Sequence, residues 1–129
     1  MALEAINPPG AAWPGVSQAI LAEGGKLFVS TGHVGTDAEG EPVTASAEAQ
    51  IVALFENLKA TLAAAGLGFG HVVRVTTYVK SFDPEFLATF RAVRARYLDQ
   101  ACPPAGVMVQ AGLYDSRLLA EAEIIAVAS

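Results

Sequence analysis

Three features of this 129-residue chain predict an α+β fold, a mixed β-sheet with two helices on one face. Apolar residues recur at helical spacing from Ser46 to Ala65 and again from Asp83 to Leu98. The run from His71 to Lys80 switches to period two, as a half-buried strand requires. The closing run Leu118 to Ala128 is apolar apart from Glu121 and Glu123 and is long enough to be a central strand.

Taken in order, Asn7-Pro8-Pro9-Gly10 reads as an extended arm, because each proline fixes its own φ and restrains the residue before it. Ser17–Ala22 and Lys26–Thr31 are short strands, and the turn Glu23-Gly24-Gly25 between them predicts a hairpin. Asp37 to Pro42 is a turn-rich excursion. In the first helix Ala47, Ile51, Leu54, Phe55, Leu58 and Leu62 form the packing stripe, and Gly66 suits the left-handed position that ends it, with Leu67 folded back on Leu62. Val73, Val75, Thr77 and Val79 then share one strand face, with Arg74, Thr76, Tyr78 and Lys80 on the other. Asp83-Pro84 supplies an N-cap and a first-turn proline for the second helix, whose buried stripe is Phe86, Phe90, Val93 and Tyr97. Cys102-Pro103-Pro104 breaks that helix, and Gly106–Ala111 and Leu118–Ala128 are the last two strands. The order β-β-α-β-α-β-β leaves one sheet face without helices, to be covered by neighbouring copies.

Composition narrows the partners. The chain reads as a single domain over residues 1–129. It is 53% apolar and only 16% charged, more apolar side chain than a small monomer hides, so a homo-oligomer is expected. A net charge of -5 with eight dispersed Lys and Arg residues lacks the basic stripe that phosphate neutralisation needs, which makes nucleic acid a poor candidate, and no nucleic-acid partner is expected. Met1-Ala2-Leu3-Glu4 is no secretory leader, and no apolar run is long enough to span a bilayer, so a cytoplasmic protein without membrane attachment is expected. One cysteine and two separated histidines provide no metal-ligand spacing, and no metal is expected.

Glu121 and Glu123 are the candidate chemistry. Two residues apart on a strand, both point to one face, and charge on so apolar a strand requires water, a ligand or a partner. The alternative is a pair of glutamates bonded to backbone or to basic residues of a neighbouring copy. Arg91, Arg94 and Arg96 read as a solvated or salt-bridged helix face, with an anion site as the other possibility. Cys102 has no placed base and reads as an incidental thiol, while Trp13 and Tyr114 read as aromatics at a subunit rim.

The ordered set Gly32, Gly40, Ala49-Gln50, Asn57-Leu58, Leu62, Gly66, Val72-Val73-Arg74-Val75, Phe86, Pro104-Ala105 and Ala120-Glu121-Ala122-Glu123 resembles the RidA family, also called YjgF or L-PSP. The likeness runs from about Pro14 to Ala128. It implies a chorismate-mutase-like fold, a homotrimer whose sheets form a barrel, and small-molecule pockets at the subunit interfaces. It also implies hydrolysis of reactive enamines and imines to oxo acids and ammonia, with no cofactor. Glu121 corresponds to the family's pocket glutamate, and Thr31-Gly32 to its Ser-Gly turn, with His33 beside them as a second proton carrier or a plain surface histidine. Three substrate-binding positions depart from the family pattern. Gly106 stands where the deaminase branch has a carboxylate-gripping arginine, Val16 where it has a tyrosine, and Phe90 or Thr89 where it has an asparagine. Arg74 or Lys80 is a candidate replacement cation. A hydrolase with altered recognition, a non-catalytic binding or regulatory trimer, and an endoribonuclease are the functions in competition.

Overall fold

The computed structural model describes residues 2–10 and 14–128. Helix α1 runs Ala47–Ala64 because both ends are capped locally. The Ser46 hydroxyl accepts the Ala49 N–H at 3.0 Å. At the other end Gly66 adopts φ +74, letting the Leu67 N–H reach back to the Leu62 carbonyl at 2.9 Å. Helix α2, Pro84–Tyr97, starts where the Asp83 carboxylate accepts the Phe86 N–H at 2.9 Å. The helices meet through aromatics: Phe55 stacks on Tyr97 with centroids 5.2 Å apart and touches Phe90 at 5.9 Å.

The Tyr97 hydroxyl donates to Glu56 at 2.7 Å. Burial first, and then that hydrogen bond, push its phenol from the usual 10.0 up to about 12. A raised pKa favours the neutral form, so this stabilisation is complete below pH 10.0 and lost as pH climbs to about 12. Tyr97→Phe is therefore expected to flatten the alkaline decline in melting temperature over that interval. An equally steep decline in the variant would refute the assignment.

Five strands form the main sheet: β3 Lys26–Val29, β4 His33–Val34, β5 Val72–Val79, β6 Ala105–Gln110 and β7 Ala120–Ala128. Their order is β3-β7-β5-β6, with β4 also on β7. Strands β5 and β6 run parallel, with Val75 opposite Gly106, and every other pair is antiparallel. A separate two-stranded sheet joins β1, Ala2–Ile6, to β2, Ala19–Glu23. The expected hairpin is thus corrected: β2 pairs with β1, and β3 pairs with β7. Pairing with β7 places Phe28 opposite Ala126 and packs it against the core. The element order gains β1 and β4 over the predicted one.

The core lies between the helices and one sheet face, where Val72, Val75, Val79, Ala120, Ala122, Ile124 and Ala126 are buried against α1 and α2. Val73 is only half-buried, because a register irregularity between Val72 and Arg74 turns it out of the expected alternation. The opposite face carries no helix. Leu27 and Val29 lie there 71% and 64% exposed, alongside exposed Val107 and Val109. Among the described residues no helix is long and apolar enough to cross a membrane.

Gln50 holds the loops that lead into the sheet. Its buried amide donates to the carbonyls of Val43 and Arg117, both at 2.9 Å, and accepts the Leu119 N–H at 2.6 Å. The start of β7 is therefore tied to α1 one residue before Ala120.

Candidate functional site

Glu121 projects from the helix-free face because its neighbours Ala120 and Ala122 must face the core. Directly across the ladder from it lie Tyr78 on β5 and Val34 on β4. Its carboxylate fills the space that a Cβ on Gly32 would occupy, so any larger residue at position 32 would displace it. Gly32, Tyr78, Ala111, Gly112, Leu113 and both glutamates line one depression.

The two carboxylates are not equivalent. The Tyr78 hydroxyl donates to Glu123 Oε1 at 2.6 Å, a diagonal contact across the strand pair. That bond, followed by burial and the charges of both glutamates, holds the Tyr78 phenol above its usual value, so it remains a donor. Glu121 makes no side-chain hydrogen bond to any other described residue. It is half-buried, near a donor and unengaged, as a group that takes and returns a proton must be.

Val16 and Gly106 lie elsewhere. With Pro14, Gly15, Val75, Thr77, Leu98 and Met108 they line a cavity of about 190 Å³ between α2 and the β5–β6 edge. The side chains of Val75 and Met108 place this cavity on the helix side, opposite the face that bears Glu121. A Cβ at position 106 would stand 2.9 Å from the Val75 carbonyl, so the interstrand gap fits glycine. The cavity's charged walls are Arg91 and Arg94. Phe90 is corrected from a substrate contact to a core residue: it is fully buried between Phe55 and Phe86. The α2 stripe of Phe86, Phe90, Val93 and Tyr97 leaves Arg91 and Arg94, three residues apart, on one flank, and the fold sets that flank toward β6.

His33 also changes role. It pairs with Ala122, whose side chain faces the helices, and so points away from Glu121. Its ring is fixed between the Thr31 carbonyl at 2.9 Å and the Thr61 hydroxyl at 2.7 Å. With Thr31, Gly32, Asn57 and Thr61 it lines a second depression, which meets that of Glu121 at Gly32. Lys80 donates to the Ser116 carbonyl at 2.7 Å and lines an adjoining depression with Ala111, Gly112 and Leu113, and Arg96 pairs with Glu48 at 2.7 Å. Tyr114 is 73% exposed, and Trp13 lies outside the described residues. Among the described residues no three His, Cys, Asp or Glu side chains gather as metal ligands.

Comparison with known proteins adds the family. The family model described as Endoribonuclease L-PSP matches residues 7–128. The chain belongs to the L-PSP family, also called RidA or YjgF. Protein DfrA of Myxococcus xanthus is 38% identical over 112 residues, 86% of this chain and 83% of that relative. A RutC family protein of Pyrococcus horikoshii is 37% identical over 111 residues, 85% and 84% of the two chains. Among solved structures, the Rid family protein YyfB of Yersinia pestis, itself described as of unknown function, superposes with a TM-score of 0.88 at 31% identity over 98% of this chain and 99% of its own. This L-PSP domain therefore has the mixed sheet and paired helices expected of it.

Proposed function

We propose that this L-PSP protein hydrolyses the carbon–nitrogen double bond of small enamines or imines at a site formed between copies of the chain. The reading rests on Glu121, an unengaged carboxylate beside Gly32 and Tyr78 on a sheet face that no helix covers. In this scheme Glu121 takes a proton from water as its oxygen bonds to the imine carbon. The carboxyl returns that proton to nitrogen to give the carbinolamine, then takes the hydroxyl proton and delivers it to nitrogen as the carbon–nitrogen bond breaks, leaving the carbonyl product and ammonia; an enamine enters as its imine tautomer. The exposed Leu27, Val29, Val107 and Val109 favour assembly, and a homotrimer would cover them. Assembly also supports the site, since Glu121 and the arginine-lined cavity lie on opposite faces of one sheet and only a neighbouring copy can bring such faces together.

A non-catalytic binding trimer is the second reading, favoured by Gly106 and Val16 at positions that are polar in the deaminase branch. The endoribonuclease named in the family description fits less well with a net charge of -5 and dispersed cations. Generating 2-aminoacrylate in place with a dehydratase and following ammonia separates the readings. The wild-type protein is expected to accelerate release above the buffer rate and to scatter light as three chains. A buffer-level rate would leave the binding reading.

A further inference from the structure

We propose, on the reading that Glu121 carries the proton, that Tyr78 is its positioning residue: by tying Glu123 to β5, the phenol leaves Glu121 alone against Gly32. Side chains two residues apart on a strand stand roughly 6–7 Å apart on one face, so two glutamates there compete for the same space and the same water. Here they diverge. Strand β7 has β5 on one side and β3 and β4 on the other. Glu123 leans to the β5 side, where its Oε1 accepts the Tyr78 hydroxyl at 2.6 Å. Glu121 leans to the opposite side: its Oε2 stands where a Gly32 Cβ would be, with its Cδ and Cγ 2.9 and 3.1 Å from that point.

The ladder explains how one phenol does this. Tyr78 stems from the position directly opposite Glu121, and directly opposed side chains start only about 5 Å apart, so a ring that reaches diagonally to Glu123 passes beside Glu121. The ring fills the β5 side of Glu121, and Gly32, having no side chain, leaves room on the other. The hydrogen bond fixes the ring, because a half-buried tyrosine whose hydroxyl had no partner would have further rotamers open to it. It also commits the phenol's one proton. Toward the depression Tyr78 then presents only lone pairs, so it neither donates to Glu121 nor replaces it as proton carrier. Tyr78 acts on the reaction through the placement of Glu121, and a displacement of about 1 Å at a reacting group costs up to about 10²-fold in rate.

The test combines turnover with an NMR distance on the intact protein. In ammonia release from 2-aminoacrylate, Tyr78→Phe is expected to lower kcat by about 10-fold while KM stays within about twofold. Glu123→Leu, which removes the acceptor, should reproduce that loss, and Glu123→Gln should not, because its amide oxygen still accepts the phenol. The double variant Tyr78→Phe/Glu123→Leu should be no slower than either single one, since both break the same contact. The nuclear Overhauser contact between Gly32 Hα and Glu121 Hγ reads the placement without turnover. It is expected in the wild type and in Glu123→Gln, and weakened in Tyr78→Phe and Glu123→Leu. Should Tyr78→Phe fail to fold, the two Glu123 variants carry the same comparison. An unchanged contact or an unchanged kcat in Tyr78→Phe, or losses that multiply in the double variant, would overturn the positioning role. A wild type that releases no ammonia, with the contact still weakened in Tyr78→Phe, would refute the hydrolytic reading and leave the hold of Tyr78 on Glu121 standing.

Discussion

Glu121→Gln is expected to lower the rate of ammonia release from 2-aminoacrylate by about 10²- to 10⁴-fold, the range that removing a positioned proton carrier spans. The substitution keeps shape and volume, so the group still fits the space at Gly32, while an amide cannot accept the proton from water. Glu123→Gln should cost much less, because one oxygen of that carboxylate is already engaged by the Tyr78 hydroxyl at 2.6 Å. The comparison controls for charge, since each variant removes one negative group from the same strand face. Equal losses in the two variants would point to electrostatics alone, and wild-type turnover in Glu121→Gln would remove the proton carrier from the scheme.

Gln50→Leu is expected to destabilise the fold by about 2–4 kcal/mol, a fall in melting temperature on the order of 10 °C. The side chain is 2% exposed and serves three backbone groups, at Val43, Arg117 and Leu119. Leucine fills a similar volume and offers no hydrogen bond, so those groups lose their partners where water enters poorly. The Leu119 N–H adjoins Ala120, so the start of β7 should loosen and the setting of Glu121 with it. Urea denaturation provides the measurement. A midpoint within error of wild type would show that the loops satisfy these groups by another route.

The helices were legible because their signals are local. Ser46, Gly66 and the Asp83-Pro84 pair each act on the next turn of chain, and all three end or start a helix as their chemistry directs. Strand partners were less legible because the choice is not local. Nothing between Ala19 and Val29 reveals that β2 will join Ala2–Ile6 while β3 crosses to β7. The same holds for faces. Glu121 could be placed from β7 alone, since a nine-residue strand with alternating burial sets its own orientation. His33 belongs to a two-residue strand whose orientation is set by Ala122, and so its side of the sheet could be found only with the partner in view. The family likeness drew attention to Gly106 as a missing cation, whereas the guanidiniums beside it come from α2, a different element.

Strand β6 lies at the sheet's rim, bonded on one side only, while β7 is enclosed by β3, β4 and β5. Substitutions along the rim disturb one ladder, and those in β7 disturb three. Residues lining the cavity along β6 and the neighbouring flank of α2 can therefore drift under selection while the strand carrying Glu121 stays fixed. Such an arrangement lets one scaffold diversify in what it holds before it changes what it does.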